Sequence, residues 1–114
     1  TPAPATPVIN EAALKYAVEH YATAVQMARI YIKNVEDDNT NLAAVSGQIA
    51  AELAAGGYGG NPILAGEVVR QREATIRQKR DSDQQQFDYW YQQSLYWGEK
   101  LSQMGVNPSE LNIP

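Results

Sequence analysis

Apolar residues recur every seven positions along the first half of this chain. Leu14, Tyr21, Ala28, Val35, Leu42 and Ile49 fall at one position of the repeat, and Val18, Val25, Ile32, Asn39, Ser46 and Leu53 at a second. That spacing keeps one stripe on one side of an α-helix, the pattern of a coiled-coil seam. Val35 and Leu42 stay in phase across Glu36-Asp37-Asp38-Asn39-Thr40-Asn41, a run of poor helix formers. A loop would break the phase, so the pattern favours one helix over about 8–55. A break within 36–41 is the alternative.

The repeat stops at Gly56-Gly57-Tyr58-Gly59-Gly60-Asn61-Pro62. Four glycines and a proline in seven residues cannot continue a helix or a strand. No proline occurs between Val8 and Asn61 or between Ile63 and Asn107, so one breaker separates two long arms. The second arm has a looser seam of Val69, Ile76, Trp90, Trp97 and Met104, with Phe87 and Leu101 beside it. Between them lies a polar stretch, 70–86, whose apolar residues are Ala74 and Ile76. Such a stretch is expected to face water, a lumen or a polar partner. The expected fold is all-α: a long antiparallel hairpin of helix 8–55, Gly-rich turn 56–61 and helix 62–104. An extended Pro-rich arm (1–7) precedes the hairpin domain (8–105), and a short tail (106–114) follows. Thr6-Pro7 and Asn61-Pro62 each read as a cap followed by proline at the first helical position, with Asn10-Glu11 a competing start. Gly56 and Gly105 read as left-handed stops, and Asn107-Pro108-Ser109-Glu110 as one short final turn with Glu110 closing a capping box.

Folding the arms about Tyr58 places side by side residues whose numbers sum to about 117. The acidic belt Glu36, Asp37 and Asp38 then faces the basic belt Arg77, Lys79 and Arg80, giving inter-arm ion pairs that oppose a slipped register more than they add stability. Tyr16 and Tyr21 come near Tyr96, Trp97 and Leu101. With Trp90 they form an aromatic group for packing inside the hairpin or against a neighbouring subunit.

Composition narrows the chemistry. The 114 residues make one domain at most, and a single hairpin buries less surface than a globule of equal mass, so partners are expected. There is no cysteine and one histidine, His20, which excludes thiolate and multi-histidine metal sites within one chain. His20 lies one residue before a seam position and reads as a surface or interface residue. No catalytic residue, cofactor or metal is assigned. The consecutive carboxylates 36–38 cannot converge as a general acid and base on one helix face. The net charge of −4 argues against nucleic-acid binding by the whole surface. Arg70, Arg72, Arg77, Lys79 and Arg80 could form a local phosphate-contacting face, or could serve the acidic belt. No apolar run is long enough for a membrane span, and the N-terminal residues lack the pattern of a secretory signal.

The turn lies inside the longest uncharged stretch, the fourteen residues 53–66. It reads either as a simple turn or as a contact point for other subunits or a bilayer, with Gly56, Gly57, Tyr58, Gly59 and Gly60 as the contact residues.

An Ala-rich arm runs into Leu53-Ala54-Ala55-Gly56-Gly57-Tyr58-Gly59-Gly60-Asn61-Pro62-Ile63-Leu64. Arg70-Gln71 and Glu73-Ala74-Thr75-Ile76-Arg77 follow, and then an aromatic and glutamine-rich helix from Phe87 to Trp97. This order resembles the internal virion, or ejection, proteins of tailed phages, mostly short-tailed ones, over about residues 43–104. The chain is shorter than those proteins and its first helix is truncated. The resemblance implies a non-enzymatic virion component inside the capsid or at the portal. It would form a ring-shaped homo-oligomer beside other virion proteins, leave with the genome, and help to form a conduit through the host envelope. Transient membrane contact and weak contact with passing nucleic acid are part of that expectation. The competing expectations are a helical component of a phage connector, tail or secretion apparatus in the cell envelope or periplasm, and a DNA-binding hairpin.

Overall fold

The computed structural model describes residues 10–114, so the Pro-rich arm and the Thr6-Pro7 start lie outside the described residues. The fold is all-α and a helical hairpin: helix α1 spans Glu11–Ala54 and helix α2 spans Pro62–Gln103. α1 is continuous through 36–41, so the break is not formed. The Thr40 hydroxyl donates to the Glu36 carbonyl at 3.0 Å, one way a poor helix former is accommodated within a turn.

Side-chain caps fix the ends. Among the described residues, helix α1 starts at Glu11, the competing start, because the Asn10 Oδ1 accepts the N–H groups of Ala12 and Ala13 at 3.0 and 3.2 Å. Asn61 caps α2 in the same way, accepting from Ile63 at 3.0 Å, with Pro62 at the first helical position. Gly56 closes α1 at φ 93°. At the end of α2, Gly105 (φ 83°) donates to Ser102 at 3.0 Å and Val106 donates to Leu101 at 2.9 Å. Those two bonds form a Schellman stop. The final turn, Pro108–Glu110, is a single 3-10 turn. Its cap is Asn107, whose Oδ1 takes both the N–H and the hydroxyl of Ser109, at 3.1 and 2.8 Å.

The chain divides into two compact units, each built from both helices. Unit 1 holds the start of α1, the end of α2 and the C-terminal tail; unit 2 holds residues 30–86 around the turn. Among the described residues of unit 1, the buried ones are Ala17, Ala24, Ala28 and Leu101. The tail is tied into this unit, since the Arg29 guanidinium donates to the carbonyls of Ile113 and Pro114, both at 3.2 Å. In unit 2, Val45, Ile49 and Ala65 form a cluster flanked by Leu53, Tyr58, Val68, Val69 and Ile76.

The buried row of α1 corrects half of the expected seam. The position shared by Ala28, Val35 and Ile49 is buried as expected. Its companion is Ala17, Ala24, Asp38 and Val45, one residue earlier than the row of Val18, Val25, Ile32 and Leu53, which is half-buried. Three- and four-residue spacings both suit a heptad, so the pattern alone does not separate them. Asn39 and Ser46, in the expected row, are exposed.

Candidate functional site

Asp38 lies 3% exposed in the buried row of α1, among positions otherwise filled by alanine and valine. Opposite it, Lys79 of α2 donates to Asp38 Oδ1 at 3.0 Å and to Asp83 Oδ2 at 2.7 Å. Asp83 is itself 9% exposed and lies seven residues after Ile76 and seven before Trp90. The α2 seam therefore does not lapse in the polar stretch; it passes through a carboxylate. Asp38 Oδ2 is buried without a hydrogen-bond partner. Burial first, then the neighbouring Asp83, push the Asp38 carboxyl above its ordinary range, against the opposing effect of Lys79. Asp83 is held low by its contact with Asp38 and then by Lys79. The Lys79 ammonium is held high by Asp83 and then Asp38.

The belts thus meet through one acid of the three expected. Consecutive helical residues point about 100° apart, so only one of residues 36–38 can face α2. Asp37 turns to Lys33 on its own helix, at 3.4 Å. Glu36 is exposed and forms no ion pair across to α2 among the described residues. Arg77 pairs within α2 with Glu73 at 3.0 Å, and Arg80 reaches Asn39 at 3.3 Å and Asp81 at 3.7 Å. Asp83 was missed by sequence reasoning; its heptad position between Ile76 and Trp90 was the signal.

The Gly-rich turn joins the two helices through Gly57–Gly60. Tyr58 sits at φ 59°, a left-handed backbone that is costly for a side chain of this size. Its ring packs against the Val45–Ile49–Ala65 cluster, and its hydroxyl donates to the Glu52 carboxylate. That bond, with burial and the Glu52 charge, pushes the phenol above its ordinary range. Arg72 approaches the same carboxylate at 3.7 Å. Tyr58 is therefore folded down as a brace and is not presented outward. Gly57 lies so close to α1 that a Cβ there would stand 2.7 Å from the Glu52 carbonyl oxygen. The side chains that the turn region exposes are Ile63, 75% accessible, and Leu64. Beside the turn, Asn41, Gln48, Gln71 and Thr75 rim an open groove of about 510 Å³ floored by Val45 and Ile76.

In unit 1 the aromatic group assembles largely as expected. Trp97 meets Tyr16 edge-on at 5.5 Å, Tyr96 at 5.1 Å and His20 at 4.8 Å between ring centroids. His20 stacks at 3.9 Å on Tyr16 and hydrogen-bonds through Nδ1 to the Tyr16 carbonyl at 2.9 Å. Tyr21 lies against Gly98, whose added Cβ would meet its ring at 3.4 Å. Trp90 is half-buried and contacts Tyr89 at 5.0 Å. Tyr16, Tyr89, Tyr91, Leu95 and Tyr96 are each about half exposed. The rings therefore line the outside of an alanine-rich core.

Neither protein-family models, curated proteins nor solved structures give a match to this chain. Among the described residues, no helix is long and apolar enough to cross a membrane, and no cluster of three or more histidines and carboxylates is placed to hold a metal.

Proposed function

We propose that this chain is a non-enzymatic structural subunit that works by associating with further copies of itself. The observation that carries this reading is the distribution of its apolar surface. The core of unit 1 is three alanines and a leucine, while Tyr16, Tyr89, Tyr91, Leu95 and Tyr96 remain half exposed on the two helices. Exposed aromatic residues grouped on one unit favour an interface over a solvated face. In its finer form, resting on the sequence resemblance, the subunit is an internal virion protein that assembles at the portal, leaves with the genome and helps to form a conduit across the host envelope. Exposed Ile63 and Leu64, inside the uncharged stretch, are then the residues that meet lipid or a neighbouring subunit.

Light scattering and liposome flotation of the purified protein test both levels. A ring-sized oligomer that floats with liposomes supports the finer form. An oligomer that ignores lipid favours a connector, tail or secretion-apparatus component. A monodisperse monomer that ignores lipid refutes the proposal. The DNA-binding reading is weakened by the charges themselves. Arg70, Arg72, Arg77, Lys79 and Arg80 each lie within 4.0 Å of a carboxylate, so the basic belt is already partnered. Binding to duplex DNA that falls steeply with salt would restore it.

A further inference from the structure

We propose that Asp38 and Asp83 share one proton between the two helices, and that this proton is a latch on the pairing of α1 with α2 in unit 2. Two carboxyl groups at buried heptad positions meet the ammonium of Lys79, whose side chain is largely exposed. With both acids ionised, two buried carboxylates share one exposed ammonium, which is costly; with one proton the cluster is neutral. The same proton satisfies the one orphan atom of the site. Asp38 Oδ2 has no donor to accept from, but a hydroxyl there can donate to the Asp83 carboxylate while Oδ1 still accepts from Lys79. Among the described residues, the charged groups that act on the two carboxyls are each other and Lys79. Lys33 and Asp37 pair with each other on α1, and Arg80 is held by Asn39 and Asp81. The directions of the two carboxyls agree, Asp38 high and Asp83 low.

The sign of the pH dependence follows. The raised Asp38 contributes stability that is complete below the ordinary carboxylate range and is lost as pH rises through its folded value. The lowered Asp83 contributes stability that is complete above that range and is lost as pH falls through its folded value. The latch is therefore strongest near the ordinary aspartate value, about 3.9, and weakens on both sides. Alkaline release leaves a buried negative charge in 36–41, the least helix-prone part of α1.

Carboxyl ¹³C titration of the intact protein tests this directly. The expected result is two steps separated by more than about one pH unit, both visible at Asp38 and Asp83. A single ordinary step shared by the two overturns the proposal. Asp38→Asn supplies a second, independent readout, because its Nδ2–H replaces the shared proton. Its Tm should fall less than the wild-type Tm as pH rises above the ordinary carboxylate range. An unchanged wild-type slope in Asp38→Asn overturns the latch.

Discussion

Ile49 and Ile63 are the same residue type in the same unit, one inside and one outside. Ile49 is 1% exposed within the Val45–Ala65 cluster and Ile63 is 75% exposed. Truncating Ile49 to alanine removes about three methylene equivalents from a buried site, worth about 2.4 kcal/mol of transfer free energy. A residual cavity adds to this, and large-to-small changes at such sites span about 2–5 kcal/mol. The neighbours Leu53, Tyr58, Val68, Val69 and Ile76 are only partly buried and can relax into the space, which places Ile49→Ala near the low end, about 2.5 kcal/mol. With a urea m-value of about 1.5 kcal/mol/M, the midpoint falls by about 1.7 M. Ile63→Ala should stay within about 0.5 kcal/mol of wild type. Urea melts followed by circular dichroism at 222 nm measure both, at two protein concentrations so that association does not pass for stability. Equal costs for the two variants, or a cost below about 0.5 kcal/mol for Ile49→Ala, refute the assignment of core and presented surface. If Ile63 acts in a contact, the folding-neutral Ile63→Asp should lose assembly or lipid flotation.

Gly57→Ala should destabilise the hairpin strongly, because its Cβ meets backbone and not a flexible side chain; a thermal melt against Gly47→Ala, which meets open space, checks this. Asn61→Ala removes the α2 cap and should cost about 1 kcal/mol by urea titration. Tyr58→Asp should weaken the hairpin, since it loses the brace and sets a second carboxylate beside Glu52; an unchanged melting temperature would show that the brace carries nothing. Lys33→Ala breaks an exposed pair within one helix and should shift stability by less than about 0.5 kcal/mol.

The two helices, the site of the turn, the Asn61 cap and both glycine stops were legible because each rests on local chemistry. The pairing rule held where it mattered most: Asp38 and Lys79, whose numbers add to 117, meet at 3.0 Å. What was not legible depended on choosing between near-equivalent geometries. A heptad accepts a companion row at either of two adjacent positions, and hydrophobicity favoured the valines at 18 and 25. The structure instead buries the alanines at 17 and 24. Asp83 escaped notice because a carboxylate is not expected in a seam, although its spacing from Ile76 and Trp90 marked the place. The fold-back of Tyr58 was not legible, because tyrosine in a glycine-rich turn has no reason within the turn to fold back. Its partner is Glu52, two residues before the end of α1.

Polar groups in this hairpin do work that apolar ones usually do. In unit 2 the heptad position between Val35 and Val45 is Asp38, and its opposite is Asp83 bridged by Lys79. Replacing the cluster with leucines would bury more apolar area and, by analogy with other buried ionic groups, could raise stability. It would also make the middle of the seam indifferent to a slip of α1 along α2, since apolar side chains accept many neighbours, whereas the two buried carboxylates need the Lys79 ammonium within reach. The large apolar residues left exposed include Ile30, Ile63 and Leu64 in unit 2 and Tyr16, Tyr89, Tyr91, Leu95 and Tyr96 in unit 1. The costly residues of unit 2 are thus inside, where Lys79 ties Asp38 of α1 to Asp83 of α2.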